Sequence, residues 1–170
     1  EGIIPKNVRQ ITQNRNVEDL KNFSRIYCFE AAMSLTGMAA DYRIKITPEA
    51  HTELLKALIN AVISKSGIKY ELSSPEIKGY KLEKIAEKYG LPSKKLDSLA
   101  DELIKNIGKS IVYAGDKMPV SVHILTNLLN EILGNSAVYC TNHKPVRFSM
   151  PSSIDEWQLL VKNLQEGKTE

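Results

Sequence analysis

Cysteine is scarce in this chain: Cys28 and Cys140 are the two among 170 residues, which leaves no disulfide framework and no cysteine pair at metal-ligand spacing. Both fall in apolar runs that read as strands, where a thiol packs as a small apolar group; a disulfide would require those strands to be neighbours with suitable side-chain directions. Histidine is equally thin. His51, His123 and His143 each lack a second metal ligand at a recognisable spacing, so no metal site is expected. No apolar run approaches the ~18 residues of a membrane-spanning helix, and the opening stretch EGIIPKNVRQITQNRN lacks the apolar segment of a secretory signal. Nor is one sign of charge in command. The 23 basic residues are interleaved with 20 acidic ones, and the net charge of +3 reads as ordinary surface rather than as a nucleic-acid footprint. No Ser, Cys or Lys sits in a nucleophile motif such as G-x-S-x-G, so no catalytic residue is assigned.

What is present is a soluble-protein composition, 42% hydrophobic and 25% charged, long enough to bury a core. The stretch from Gly108 to Thr141 reads as one β-α-β unit. Ser110-Ile-Val-Tyr-Ala114 is a short run of β-branched and aromatic residues closed by Gly115 and Asp116, as in a buried parallel strand. Pro119 suits the first turn of a helix, and Val122, Leu125, Leu129 and Ile132 follow at helical spacing until Gly134 and Asn135. Ala137-Val-Tyr-Cys140 is the expected second strand, and the helix is the crossover that two parallel strands need.

Residues 1–24 read as an irregular lead-in, with a helical turn hinted at Val17 to Leu20, and residues 25–167 as a single α/β domain. Arg25 to Glu30 is the first strand, and Ala31 to Arg43 a tight loop at its carboxyl end. Thr47 is an N-cap candidate with Pro48 at the first helical position. The helix that follows turns Leu54, Leu55, Leu58, Ile59, Val62 and Ile63 to one face, ends near Ser66-Gly67, and is expected to cover a sheet. Two shorter helices, about Tyr80 to Tyr89 and Ser93 to Ile107, are separated by Gly90-Leu91-Pro92. Ser153 and Glu156 form a capping box opening a last helix, with Trp157, Leu160, Val161 and Leu164 expected to face the core. Such a helix normally leads into a further strand, so the domain is expected to be truncated on its C-terminal side. The expected architecture is a Rossmann-like open parallel sheet with flanking helices.

In such a sheet the loops around Thr36-Gly37 and Gly115-Asp116 both emerge at the carboxyl edge, where ligands bind. The helix beginning near Pro119 points free N–H groups there, which suits an anion. Against a dinucleotide, Gly115-Asp116-Lys117-Met118-Pro119 has one glycine where the fingerprint has three, and Asp116 repels phosphate. His123 lies in the first turns of that helix, a partly buried residue with local hydrogen bonds or a ligand contact. Lys84 to Ala100 imitates a helix-turn-helix, but after Lys94 and Lys95 it shows Asp97, Asp101 and Glu102, which oppose phosphates. It is expected to be a packed helical hairpin.

Two blocks carry a resemblance. Arg25-Ile-Tyr-Cys-Phe-Glu30 followed by Ser34, Thr36, Gly37, Ala40, Asp41 and Arg43 is similar to an R-hydrophobic-Y-x-x-E strand and S-x-T-G-x-x-A-D-H-R loop, with Tyr42 in place of the histidine. Gly108 to His123 is similar to G-x-S-hydrophobic-V-x-A-G-D-x-x-P-x-x-V-H, continued by Asn130 and Gly134-Asn135. Together they resemble molybdopterin-oxidoreductase-like proteins, and in particular the large iron-sulfur subunit of bacterial alternative complex III, a quinol-oxidising membrane complex. The resemblance spans roughly residues 25–165 in the right order.

It implies that the chain is a fragment of the molybdopterin-binding-like half of a larger subunit, serving respiratory electron transfer as a structural or docking domain. The parent would face the periplasm on the cytoplasmic membrane. Its iron-sulfur clusters would occupy a separate cysteine-rich part, and its fold would be kept without molybdenum. No cofactor is implied within this fragment, and Thr36, Gly37, Asp41, Gly115, Asp116 and His123 carry over only as loop positions. Its implied partners are the rest of the parent subunit and the other subunits, with no nucleic acid and no direct membrane insertion. Two other readings stay open: an autonomous enzyme domain binding a pterin or nucleotide at the carboxyl edge, and a helix-turn-helix DNA-binding protein.

Overall fold

The computed structural model describes residues 12–13, 15–19, 23–68, 70, 77–135 and 153–168. The chain divides into two compact units, Glu1–Tyr139 and Cys140–Glu170.

The first unit is mostly helical, with one small parallel sheet. Strand β1 (Tyr27–Glu30), helix α1 (Leu35–Ala39) and strand β2 (Tyr42–Lys45) follow in immediate succession. The strands pair in parallel, from Tyr27 opposite Tyr42 to Glu30 opposite Lys45. The segment expected as a loop thus contains both a short helix and a strand. Ser34 explains the helix: its side chain accepts from the Gly37 N–H at 3.0 Å, an N-cap in the middle of an otherwise irregular run. The sheet's ends are then closed by main-chain bonds, Tyr42 N–H to Ile26 O at 3.2 Å and Ile46 N–H to Glu30 O at 3.2 Å.

Helix α2 (Ala50–Ser66) is the element on which the rest of the unit packs. Its Leu54, Leu58, Ile59 and Val62 are buried and Leu55 and Ile63 partly so, on the face anticipated from their spacing. Its start differs from expectation. Thr47 and Pro48 form a preceding turn, with Ala50 N–H bonded to Thr47 O, and Glu49 occupies the N-cap without a side-chain bond. Gly67 ends it at φ 69°, a left-handed conformation that a side chain would strain. A 3₁₀ turn (Ile77–Gly79), α3 (Leu82–Tyr89), α4 (Ser93–Lys105) and α5 (Val120–Ile132) complete the unit. Both α2 and its neighbours bury their apolar stripes in one core that includes Ile44, Leu82, Ile85, Leu96, Leu103, Leu125, Leu129 and Leu133. Helices α3 and α4 form the expected hairpin, and the acidic residues noted on it turn to α2 and to the lead of β1: Lys65 pairs with Asp97 and Asp101, and Arg25 with Glu102.

The expected strand Ser110–Ala114 joins no ladder, and among the described residues the sheet has two strands. The physical reason is that the main chain of Val112 is already satisfied by a side chain: Asn130 Oδ1 accepts from its N–H at 2.9 Å, and Asn130 Nδ2 donates to its carbonyl at 2.7 Å. The expected partner strand, Ala137–Cys140, lies outside the described residues.

In the second unit, α6 (Ile154–Gln165) opens with the anticipated capping box, Glu156 N–H to Ser153 Oγ and Ser153 N–H to Glu156 Oε2. Its Trp157, Leu160, Val161 and Leu164 were expected to face a core and are instead exposed. The helix has no buried residue, because the described part of this unit holds nothing for its apolar face to pack on.

Candidate functional site

The two loops singled out from sequence flank the start of α2. His51 Nε2 stands 3.3 Å from Phe29 O near the carboxyl end of β1, and Thr52 Oγ1 is 3.4 Å from Ser121 Oγ in the first turn of α5. The carboxyl edge of the sheet and the N-terminal ends of α2 and α5 therefore share one side of the unit. His51 itself is 8% exposed, and its Nδ1 faces Thr47 O at 3.0 Å and Pro48 O at 3.2 Å. Carbonyl oxygens thus stand at both ring nitrogens, and the ring ties β1 to the start of α2.

On the β1 side, the residues form a closed polar cluster around Glu30. Its carboxylate accepts from the Ser34 N–H, at 3.2 Å to each oxygen, and from Arg43 Nε at 2.6 Å. Ser34 and Arg43, in that order, hold the Glu30 carboxyl down to about 2, well below the ordinary value. Gly37 is buried against this carboxylate, and a Cβ at residue 37 would overlap it, so a side chain there would require the Glu30 carboxylate to shift. Thr36 is exposed on the same short helix. Asp41 lies elsewhere, at the amino end of the strands. There it accepts from the Ile26 N–H at 2.8 Å and from Arg15 at 2.7 and 3.0 Å, and Arg15 holds its carboxyl below the usual range. Cys28 is half-buried and free; burial first, and the Glu30 carboxylate second, push its thiol up, away from a reactive thiolate.

On the α5 side, a second polar network is neutral. Asn130 and Asn135 are 4% and 0% exposed. Asn135 Nδ2 donates to Asn130 Oδ1 at 3.1 Å, Ser110 Oγ to Asn135 Oδ1 at 3.3 Å, and the Gly108 N–H to Leu133 O at 2.8 Å. This network holds the segment Ser110–Ala114 along α5. Above it, Val112, Tyr113, Ala114, Asp116, His123, Thr126 and Asn127 line a cleft of about 250 Å³. Tyr113 donates its hydroxyl to Asp116 Oδ1 at 2.8 Å. Gly115 belongs to the tight turn beneath Asp116, its carbonyl accepting from the Met118 N–H. Of the six loop positions, the structure thus brings Asp116 and His123 into one cleft. Thr36 and Gly37 stand on α1, and Asp41 at the opposite end of the strands.

His123 is partly buried as expected, but its ring makes no hydrogen bond among the described residues. Thr126 and Asn127 were not foreseen. Their signal was the spacing of three and four from His123, which puts all three side chains on one face of α5. His143 lies outside the described residues. Among the described residues no three His, Cys, Asp or Glu side chains gather as metal ligands, and no helix is long and apolar enough to cross a membrane. No protein-family model matches the chain, and no curated protein matches it.

Proposed function

We propose that the chain is an α/β piece of a molybdopterin-oxidoreductase-like iron-sulfur subunit, serving a respiratory electron-transfer complex as a structural and docking domain. One observation carries the reading: the side chains that make up each block of the resemblance are bonded mainly to one another. In the first block Glu30, Ser34, Gly37 and Arg43 form one cluster, and Asp41 ties the other end of the same strands. In the second, Gly108, Ser110, Asn130 and Asn135 knit the segment before α5 to that helix. Side chains that spend their hydrogen-bonding capacity on the fold shape a surface rather than perform chemistry. In this reading Ser110–Ala114 is the next strand of a Rossmann-like sheet. Its alternation of outward Ile111 and Tyr113 with inward Val112 and Ala114 supports that role. The parent subunit would stand at the periplasmic face of the cytoplasmic membrane, with its clusters elsewhere in its chain.

The test is isolation of the native protein from mildly solubilised membranes with an antibody against this chain. The reading expects co-purifying subunits and the spectroscopic signature of iron-sulfur clusters; a lone polypeptide without either contradicts it. The cleft at Asp116 and His123 favours a second reading, a domain that binds a pterin or nucleotide on its own. Its volume of about 250 Å³ lies below the ~300–1,000 Å³ typical of clefts for drug-sized ligands, which weighs against a dinucleotide. Calorimetric titration separates the two, because micromolar binding of a pterin or nucleotide would replace the docking reading.

A further inference from the structure

We infer that the amino end of the β1–β2 pair is a binding site for the arginine side chain of a polypeptide, occupied here by the chain's own Arg15, and that residues 12–19 form a strap that can leave it. The site goes beyond the docking reading and does not depend on it.

Three observations carry it. The first is the way the guanidinium is recognised. Arg15 Nη1 donates to Asp41 Oδ2 at 2.7 Å and Nη2 to Asp41 Oδ1 at 3.0 Å, a two-pronged contact that a planar guanidinium makes and an ammonium does not. Nη1 also donates to Ser24 O at 2.9 Å, and the guanidinium carbon stands 5.0 Å from the centre of the Phe23 ring. Carboxylate, carbonyl and ring thus read the charge, the fork and the flat face of one group.

The second is that the site is built without Arg15. Asp41 Oδ2 also accepts from the Ile26 N–H at 2.8 Å, and the N–H groups of Asp41 and Tyr42 donate to Ile26 O at 3.0 and 3.2 Å. Phe23 and Ser24 lead through Arg25 into that same Ile26. The recognising groups therefore belong to the strand framework and stay in place when the guanidinium leaves. The third is that the strap behaves as a ligand. It is turned by local bonds, Arg15 N–H to Thr12 O at 3.0 Å, Asp19 N–H to Asn16 O at 3.1 Å and Glu18 N–H to Asn16 Oδ1 at 3.0 Å. The Arg15 side chain is 19% exposed, whereas residues 12, 13 and 16–19 are all exposed. One arginine inserted while its neighbours stay in solvent is how a peptide is anchored by a single hot spot. The short tether presents Arg15 at an effective concentration on the order of millimolar, so a second arginine enters when the strap is displaced.

The experiment uses the full chain and its Arg15→Ala and Arg15→Lys variants, titrated with Nα-acetyl-arginine amide, its neutral citrulline analogue, Nα-acetyl-lysine amide and methylguanidinium, and followed by amide chemical shifts. Arg15→Ala should move the amides of residues 15–19 toward random-coil positions while Ile44 and Ile46 keep theirs. In that variant the arginine amide should give saturable shifts at the Ile26 and Asp41 amides. The unsubstituted chain should need about tenfold more ligand, because Arg15 competes, and Arg15→Lys should fall between the two. The citrulline and lysine compounds should bind about tenfold or more weakly than the arginine amide. Asp41→Asn added to Arg15→Ala should abolish the response. No saturable shift in Arg15→Ala, or equal affinity in the unsubstituted chain, overturns the site. Equal binding of the citrulline compound overturns its guanidinium character, and methylguanidinium binding as tightly as the arginine amide overturns the polypeptide source. Loss of the Ile44 and Ile46 signals in both variants overturns the strap, since Arg15 would then be part of the fold.

Discussion

Strand β1 and the segment Ser110–Ala114 are both short apolar runs followed by a helix, yet they are finished in different ways. Around β1 the backbone finds another backbone: β2 pairs with it, and the two ends of the pair are clamped by charges, Glu30 with Arg43 and Asp41 with Arg15. Along Ser110–Ala114 the backbone finds a side chain. Asn130 reaches from α5 and presents to Val112 the same donor and acceptor that a neighbouring strand would have presented. The contrast teaches that one requirement, satisfied main-chain groups, can be met by ionic scaffolding or by a neutral amide, and that the choice fixes how each region responds to pH and salt.

The largest expected effect comes from breaking the amide side of the comparison. Asn130→Leu removes the partner of both Val112 main-chain groups and of Asn135, and should cost about 3–5 kcal/mol in urea melts, since each buried unsatisfied group costs about 1–3. A loss under about 1 kcal/mol would mean that water takes over the role of the amide. Gly37→Ala probes the ionic side. The new methyl displaces the Glu30 carboxylate from Ser34 and Arg43, at the roughly 1–3 kcal/mol usual for overpacking; full stability in the variant would show that Glu30 can swing aside without loss.

Acid sharpens the difference further. The Glu30 carboxyl ionises at about 2 in the folded protein against an ordinary 4.5, so its stabilisation is fully present above 4.5 and is lost as pH falls from there through about 2. Hydrogen exchange corrected for intrinsic rates should show the Ile46 amide, bonded to Glu30 O, losing protection across that window. The Val112 amide, in a network without titratable groups, should lose less. Glu30→Gln should flatten the acid response of Ile46, and parallel loss at both amides would dissolve the distinction. The smallest effect belongs to the exposed pairs on the hairpin. Lys65→Ala, which removes the contacts to Asp97 and Asp101, should cost under about 1 kcal/mol and less in high salt.

Periodicity made the longer helices legible, while the short α1 was hidden in a segment read as a loop. The apolar spacing of α2, the Pro and Gly marks around α3, α4 and α5, and the Ser153–Glu156 box all read directly, because each depends on residues a few positions apart. The strand at Tyr42–Lys45 did not, since it is only four residues long and is defined by pairing with β1 across the Ser34-capped turn. Ser110–Ala114 carried a strand's composition, but composition does not say that Asn130 would take up Val112. The candidate site was half legible. Asp116 and His123 were named as loop positions and line one cleft, whereas Asp41 stands at the far end of the strands because Ile26 and Arg15 hold it there. Thr126 was hidden by its helical setting, where a threonine facing inward looks like core.

The most direct test of the central claim is the size and fraction of the native protein, read by blotting fractionated cells that produce it with an antibody against this chain. The account predicts a band far above 19.0 kDa, retained with the membranes and released together with other subunits. A soluble band near 19.0 kDa would contradict it.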